Sequence, residues 1–172
     1  MARSDPPGRA AGRDGLGPAR ALAVLVPAAL LAGAYAFEHL GGLPPCEMCW
    51  WQRYGHFAAL VFAIPAVLVR GGWSRVLLLL AAAGILSSGL IGAYHAGVEA
   101  GLFEGVTQCA STAIAGTGAD ALAQIMATPL VRCDVAPWSL LGISMAGWNA
   151  IISLSGALVI TWLLLQSNRT RR

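Results

Sequence analysis

Hydropathy divides the chain into four apolar stretches separated by polar connections. With a window of about 19 residues they fall at about residues 21–37, 50–69, 76–94 and 140–165. A run of ~20 residues at ~1.5 Å per residue covers the ~30 Å of a bilayer's hydrocarbon. Each stretch is therefore long enough to cross a membrane as a helix, the first only just. The first contains Pro27, and the opening turns of the second carry Gln52, Arg53 and His56. In the third, Gly84, Ser88 and Gly92 recur at intervals of four, and Gly142, Ala146 and Ala150 repeat the spacing at the start of the fourth. Such small-residue rows let helix backbones approach closely where lipid supplies no hydrophobic drive. The pattern predicts an all-α membrane protein, a compact four-transmembrane-helix bundle spanning residues 21–165.

The connections add detail. Residues 1–20 are rich in Arg, Gly, Pro and Ala and read as a disordered basic tail; residues 166–172 form a second, short tail. The apolar run after the first tail ends Ala34-Tyr35-Ala36, a pattern resembling a signal-peptidase site. Its length favours retention as a helix. Between the first and second spans lies a loop at 38–49, and between the third and fourth a long one at 96–139. The middle of the long loop, 111–118, is small and polar enough to be mobile. After it Leu122, Ile125 and Met126 stand at helical spacing, predicting a short helix over 119–126 that lies on the membrane surface.

Composition agrees: 57% of the 172 residues are hydrophobic and 11% charged, with a mean hydropathy of +0.67. That is not a soluble globular composition. Charge then orients the bundle. The chain has no lysine, and nine of its eleven arginines lie in the two tails or in the second-to-third connection. Only Arg53 and Arg132 lie on the other side. The bias places both termini in the cytoplasm. It is a statement about topology, and the basic pI of about 8.9 is no nucleic-acid footprint.

All four cysteines then face outward: Cys46 and Cys49 in the first outer loop, Cys109 and Cys133 in the second. In a bacterial-style envelope that side is oxidising, and an even cysteine count there suits paired thiols. Pro44-Pro45 hold the chain extended and then allow a helix to begin, which puts Cys46 and Cys49 near a helix N-terminus. Unpaired N–H groups and the helix dipole favour thiolates there. Arg53, four residues after Cys49 and seven after Cys46, shares their helical face. An arginine in the first turns of a span is costly and marks a functional site, although it can also anchor at the interface beside Trp50 and Trp51. A charge at that depth is expected to weaken folding, not support it.

The run Cys46-Glu47-Met48-Cys49-Trp50-Trp51-Gln52-Arg53 resembles the first-loop motif of the disulfide bond formation protein B (DsbB) family. Tyr94-His95-Ala96-Gly97-Val98-Glu99 and Cys133-Asp134-Val135-Ala136-Pro137-Trp138-Ser139-Leu140-Leu141-Gly142 also resemble that family, as does the plan of four spans with two cysteines per outer loop. The resemblance implies a quinone-linked thiol oxidase of the bacterial inner membrane. Such an enzyme reoxidises a soluble thioredoxin-fold (DsbA-like) dithiol oxidase of the periplasm and passes the electrons to ubiquinone or menaquinone. By position, Cys109 receives the partner's thiolate, Cys133 exchanges with Cys46, and Cys49 is freed as a thiolate to engage the quinone. Arg53, His95 and Trp50 fall where the family binds the quinone. Energetics point the same way. A partner at about −120 mV cannot be reoxidised by a glutathione-like pool, since ~30 mV is worth ~1.4 kcal/mol for two electrons.

Two other classes compete. A zinc centre of Cys46, Cys49, Cys109 and Cys133 is opposed by the oxidising compartment and leaves Arg53 without a role. A scaffold or transporter with structural disulfides is opposed by spans lacking a buried acidic residue or an unwound midplane helix. His39 and His56 are read as interfacial and given no task.

Overall fold

A computed structural model describes residues 15–105, 118 and 131–169. Cys109, all but Gly118 of the stretch expected to be mobile and the surface helix expected at 119–126 lie outside them. The described chain is almost wholly helical: α1 (Gly17–His39), α2 (Glu47–Leu68), α3 (Gly72–Glu99) and α4 (Met145–Arg169), with a two-residue hairpin, β1 (Ser139–Leu140) and β2 (Ile143–Ser144), before α4. Among the described residues, α1, α3 and the 145–167 part of α4 are long and apolar enough to cross a membrane. With 22 residues α2 is comparable in length, but Gln52, Arg53 and His56 lower its hydropathy.

Small residues decide the packing. α3 is the central helix, flanked by α2 and α4. At Gly84 an added Cβ would meet the Ala59 nitrogen at 2.9 Å and the Gly55 oxygen at 3.0 Å; at Gly92 it would meet the Ala146 oxygen at 3.0 Å. The row serves two neighbours, with Gly84 and Ser88 against α2 and Gly92 against α4. Gly55 completes the first contact. At one end of the bundle an apolar cluster including Leu16, Ala63, Leu78, Ile85 and Ile160 is fully enclosed. Arg20 closes that end by donating to the carbonyl oxygens of Ala66 at 2.9 Å and Val69 at 3.1 Å. These are among the last carbonyls of α2, which have no partner within the helix. Gly17 to Arg20, expected at the end of the disordered tail, thus form the first turn of α1.

The fourth span needs a larger correction. It was expected from about residue 140, but the helix begins at Met145. Leu141 (φ 55°) and Gly142 (φ 78°) take the left-handed conformation that a two-residue hairpin turn requires. Gly142 is therefore a turn residue and drops out of the packing row, while Ala146 and Ala150 remain buried. Hydropathy registers the apolar side chains of Leu140 and Leu141 and is blind to the backbone around them.

Candidate functional site

The end of the bundle opposite Arg20 is built differently. Pro44 and Pro45 deliver an extended chain to Cys46, the N-cap of α2 (φ −78°, ψ 176°), whose Sγ accepts from the Cys49 backbone N–H at 3.3 Å. The pair sits at the helix start as expected, Cys46 just outside it and Cys49 in the first turn, ahead of the apolar run. Cys46 Sγ donates to Cys49 Sγ at 2.9 Å. That bond, with burial and the neighbouring Cys49 charge, pushes the Cys46 thiol far above its ordinary range. The same bond pulls Cys49 down, helped by a backbone hydrogen bond at Cys46 and the Arg53 charge, against the effect of burial. The bond therefore favours keeping the proton on Cys46 and the charge on Cys49.

Arg53 is only 5% exposed. Nη1 reaches Glu38 Oε2 at 2.5 Å and Nη2 the Ala34 carbonyl at 3.4 Å, both on α1. Its guanidinium lies 4.6 Å from the Tyr35 ring centroid and 4.9 Å from that of Trp50, a cation–π arrangement. Arg53 thus fastens α1 to α2, which corrects the expectation that its charge only burdens folding. Trp50 covers the guanidinium and is not among the residues lining the cavity described below.

His95, on α3, is buried with Nε2 3.6 Å from Cys46 Sγ and 3.7 Å from Glu99 Oε1. Cys133, in the loop before the hairpin, completes a compact group: the ligand atoms of Cys46, His95 and Cys133 all lie within 4.8 Å of one another. The two cysteine-bearing loops therefore meet at Cys46. Glu99 is 6% exposed by side chain, so α3 does end in a buried acid, contrary to the sequence reading, which closed that span at about residue 94.

A cavity of about 550 Å³ opens beside this group. Leu30, Ala34 and Phe37 of α1, Pro44 and Pro45, Trp138 and Leu140 of the hairpin region, and Met145 and Ile152 of α4 give it apolar walls. Cys49, Gln52, Arg53, His56, His95 and Asn149 supply polar groups. Trp138 packs on Phe37 with ring centroids 4.8 Å apart, joining the hairpin region to α1.

Sequence reasoning missed part of the lining. His56, read as interfacial, is buried and shares a hydrogen-bond network with Asn149, Ser88 and Ser153, which Asn149 extends to Gln52. The partners lie up to 97 residues apart, and the only local signal is that Gln52, His56 and Asn149 are polar residues within apolar runs.

The family model described as "Disulfide bond formation protein DsbB" matches residues 18–163. The chain belongs to the disulfide bond formation protein B family. It is 33% identical over 151 residues to Disulfide bond formation protein B of Marinobacter nauticus, covering 76% of this chain and 80% of the relative. It is 32% identical over 169 residues to the protein of that name from Paracidovorax citrulli, covering 90% and 91%. No solved structure matches the chain significantly. Family membership and the apolar helices make it a multi-pass membrane oxidoreductase of disulfide bond formation.

Proposed function

We propose that this protein is a quinone-linked thiol oxidase of the bacterial inner membrane that reoxidises a periplasmic thioredoxin-fold dithiol oxidase. In this reading α2 is the fourth span, both termini are cytoplasmic, and loops 38–49 and 96–139 face the periplasm. The observation that carries it is the meeting of Cys46 and Cys133 beside a cavity that Cys49 also lines.

The partner's thiolate attacks Cys109 of a Cys109–Cys133 disulfide, forming a mixed disulfide with Cys109 and displacing Cys133 as a thiolate. Cys133 attacks Cys46 of a Cys46–Cys49 disulfide, forming a Cys46–Cys133 bridge and releasing Cys49 as a thiolate. The partner's second thiol then resolves the mixed disulfide, so two partner thiols are oxidised. Exchange of this kind needs a thiolate, a good leaving group and access. The low thiol pKa of Cys49 supports its role as leaving group.

The cavity fits a quinone: apolar walls suit a ring and tail, and the Arg53 and His95 side chains offer polar partners to ring oxygens. A bound ubiquinone or menaquinone would supply a two-electron, two-proton sink. Arg53 and His95 would hold it and Cys49 would face it, with Trp50 bracing Arg53 from behind.

The test is replacement of Cys133 by Ala. It should accumulate a mixed disulfide between Cys109 and the partner, mapped by mass spectrometry, because the resolving thiolate is gone. A linkage through Cys46 would reverse the relay. Purified protein should also release a quinone on solvent extraction; an extract without one, with no activity restored by added quinone, would refute the reading.

A further inference from the structure

The hydrogen bonds behind His95 have directions that two backbone carbonyls settle. Gln52 Nε2 lies 3.2 Å from the Met48 carbonyl, which can only accept, so that atom is the amide nitrogen. The same nitrogen is 2.9 Å from His95 Nδ1, which must therefore accept. Gln52 Oε1 accepts from Asn149 Nδ2 at 2.8 Å, and Asn149 is oriented in its turn by donating to the Ser88 carbonyl at 3.2 Å. Asn149 Oδ1 is then left to accept from His56 Nε2 at 2.9 Å and from Ser153 Oγ at 3.1 Å. The buried His56 Nδ1, which has no hydrogen-bond partner, is the lone-pair nitrogen of that tautomer. Both amides and both imidazole rings are thereby assigned, and Ser88 Oγ, 2.9 Å from His56 Nε2 and 3.2 Å from Asn149 Nδ2, can accept from either without changing them.

We infer that Gln52, held by Asn149 and the Met48 carbonyl, is a positioning residue that fixes His95 as its Nε2–H tautomer, so that His95 serves Cys46 as an uncharged hydrogen-bond donor. With Nδ1 occupied by a donor, the ring's proton belongs on Nε2, which faces Cys46 Sγ at 3.6 Å and Glu99 Oε1 at 3.7 Å. When a thiolate attacks Cys133 of the Cys46–Cys133 bridge, a new bond forms at Cys133, the bridge breaks, and its electron pair goes to Cys46 Sγ. The Nε2–H then meets the new thiolate. The same assignment argues against a metal centre at Cys46, His95 and Cys133, because Nε2 carries a proton where a lone pair would be needed. The role of His95 rests on the thiol-exchange reading of Cys46; the tautomer does not.

The closing experiment therefore uses neither quinone turnover nor the partner. Full-length protein labelled with ¹⁵N-histidine, in lipid nanodiscs, should give the Nε2–H signature for His95, with the resonance assigned from His95→Asn. Gln52→Glu is nearly isosteric and, as a carboxylate, presents only acceptors, so at a pH where it is ionised it should invert His95 to Nδ1–H. In a Cys49→Ser background, where Cys46 is the only thiol at the helix start, Gln52→Glu should slow Cys46 alkylation at fixed pH by roughly tenfold, the worth of one hydrogen bond to a charged sulfur. An Nδ1–H or doubly protonated His95 in the unmutated protein overturns the assignment, and that measurement needs no variant to fold. An inverted tautomer with unchanged Cys46 alkylation overturns the role.

Discussion

The two ends of this bundle are made from different chemistry. Around Leu16, Ala63, Leu78 and Ile160 the helices meet through fully buried alanines and aliphatic side chains, and polar groups there such as Arg20 and Ser74 bond helix-end carbonyls. Around Cys46 the buried side chains include, along with Met48 and Val98, a thiol, two histidines, an arginine, an amide and a carboxylate, set beside some 550 Å³ of open space. Close packing maximises dispersion contacts, whereas buried polar groups beside a void cost stability unless each finds a partner. One end supplies the rigidity against which the other can hold a reactive pair of sulfurs.

If that division is right, substitutions sort by end. The largest effect belongs to Cys49→Ser, which should abolish quinone reduction while the thermal unfolding midpoint hardly moves. The Cys109–Cys133 disulfide should still react once with the partner. A Cys49→Ser protein that turns over with quinone would break the comparison at its centre. Next is Gly84→Leu, whose Cβ would strike backbone atoms at 2.9 and 3.0 Å. Forcing α2 and α3 apart should cost about 1–3 kcal/mol or more, read as a lowered unfolding midpoint in detergent, without changing which cysteine is alkylated first.

Arg53 tests the boundary, because it belongs to both ends of the argument. Arg53→Gln leaves Glu38 unpaired and should cost about 2 kcal/mol, less than the 3–5 of a fully buried pair, since Glu38 is 20% exposed. Adding Glu38→Gln should recover most of that stability. It should not recover Cys49 reactivity: loss of the Arg53 charge raises the Cys49 pKa, so alkylation at neutral pH slows in both proteins. Joint recovery would make Arg53 purely structural. The smallest effect is expected at Leu141, where Gly should be neutral or stabilising by up to about 1 kcal/mol, because φ of 55° strains any residue with a Cβ. A destabilised Leu141→Gly would mean that the exposed leucine itself matters.

Much of this was readable along the chain. The proline pair predicted the start of α2 and the place of Cys46 and Cys49 within it, because proline constrains its own φ and its predecessor wherever it stands. The partners of these residues were not readable. Arg53 was identified as functional from its depth, but Glu38 and Tyr35, which hold it, lie on another helix. His56 looked interfacial because its sequence neighbours lie near a span's end, and only Ser88 and Asn149 from α3 and α4 make its burial tolerable. The 140–144 segment was misread because apolar content describes a preference for lipid and carries no backbone angle.

The sequence by itself determined the four long helices, the cysteine pair at a helix start and the small-residue rows, since each follows from local chemistry or from periodicity along one helix. Tertiary structure alone decided that Cys133 reaches Cys46, that one glycine row serves two neighbours, that Arg53 is paired, and that Gln52 sets the proton on His95. Those are distances and directions between helices. A chain encodes them only through the packing of all its helices at once, where a single methyl group at Gly84 would move α2 and everything it carries.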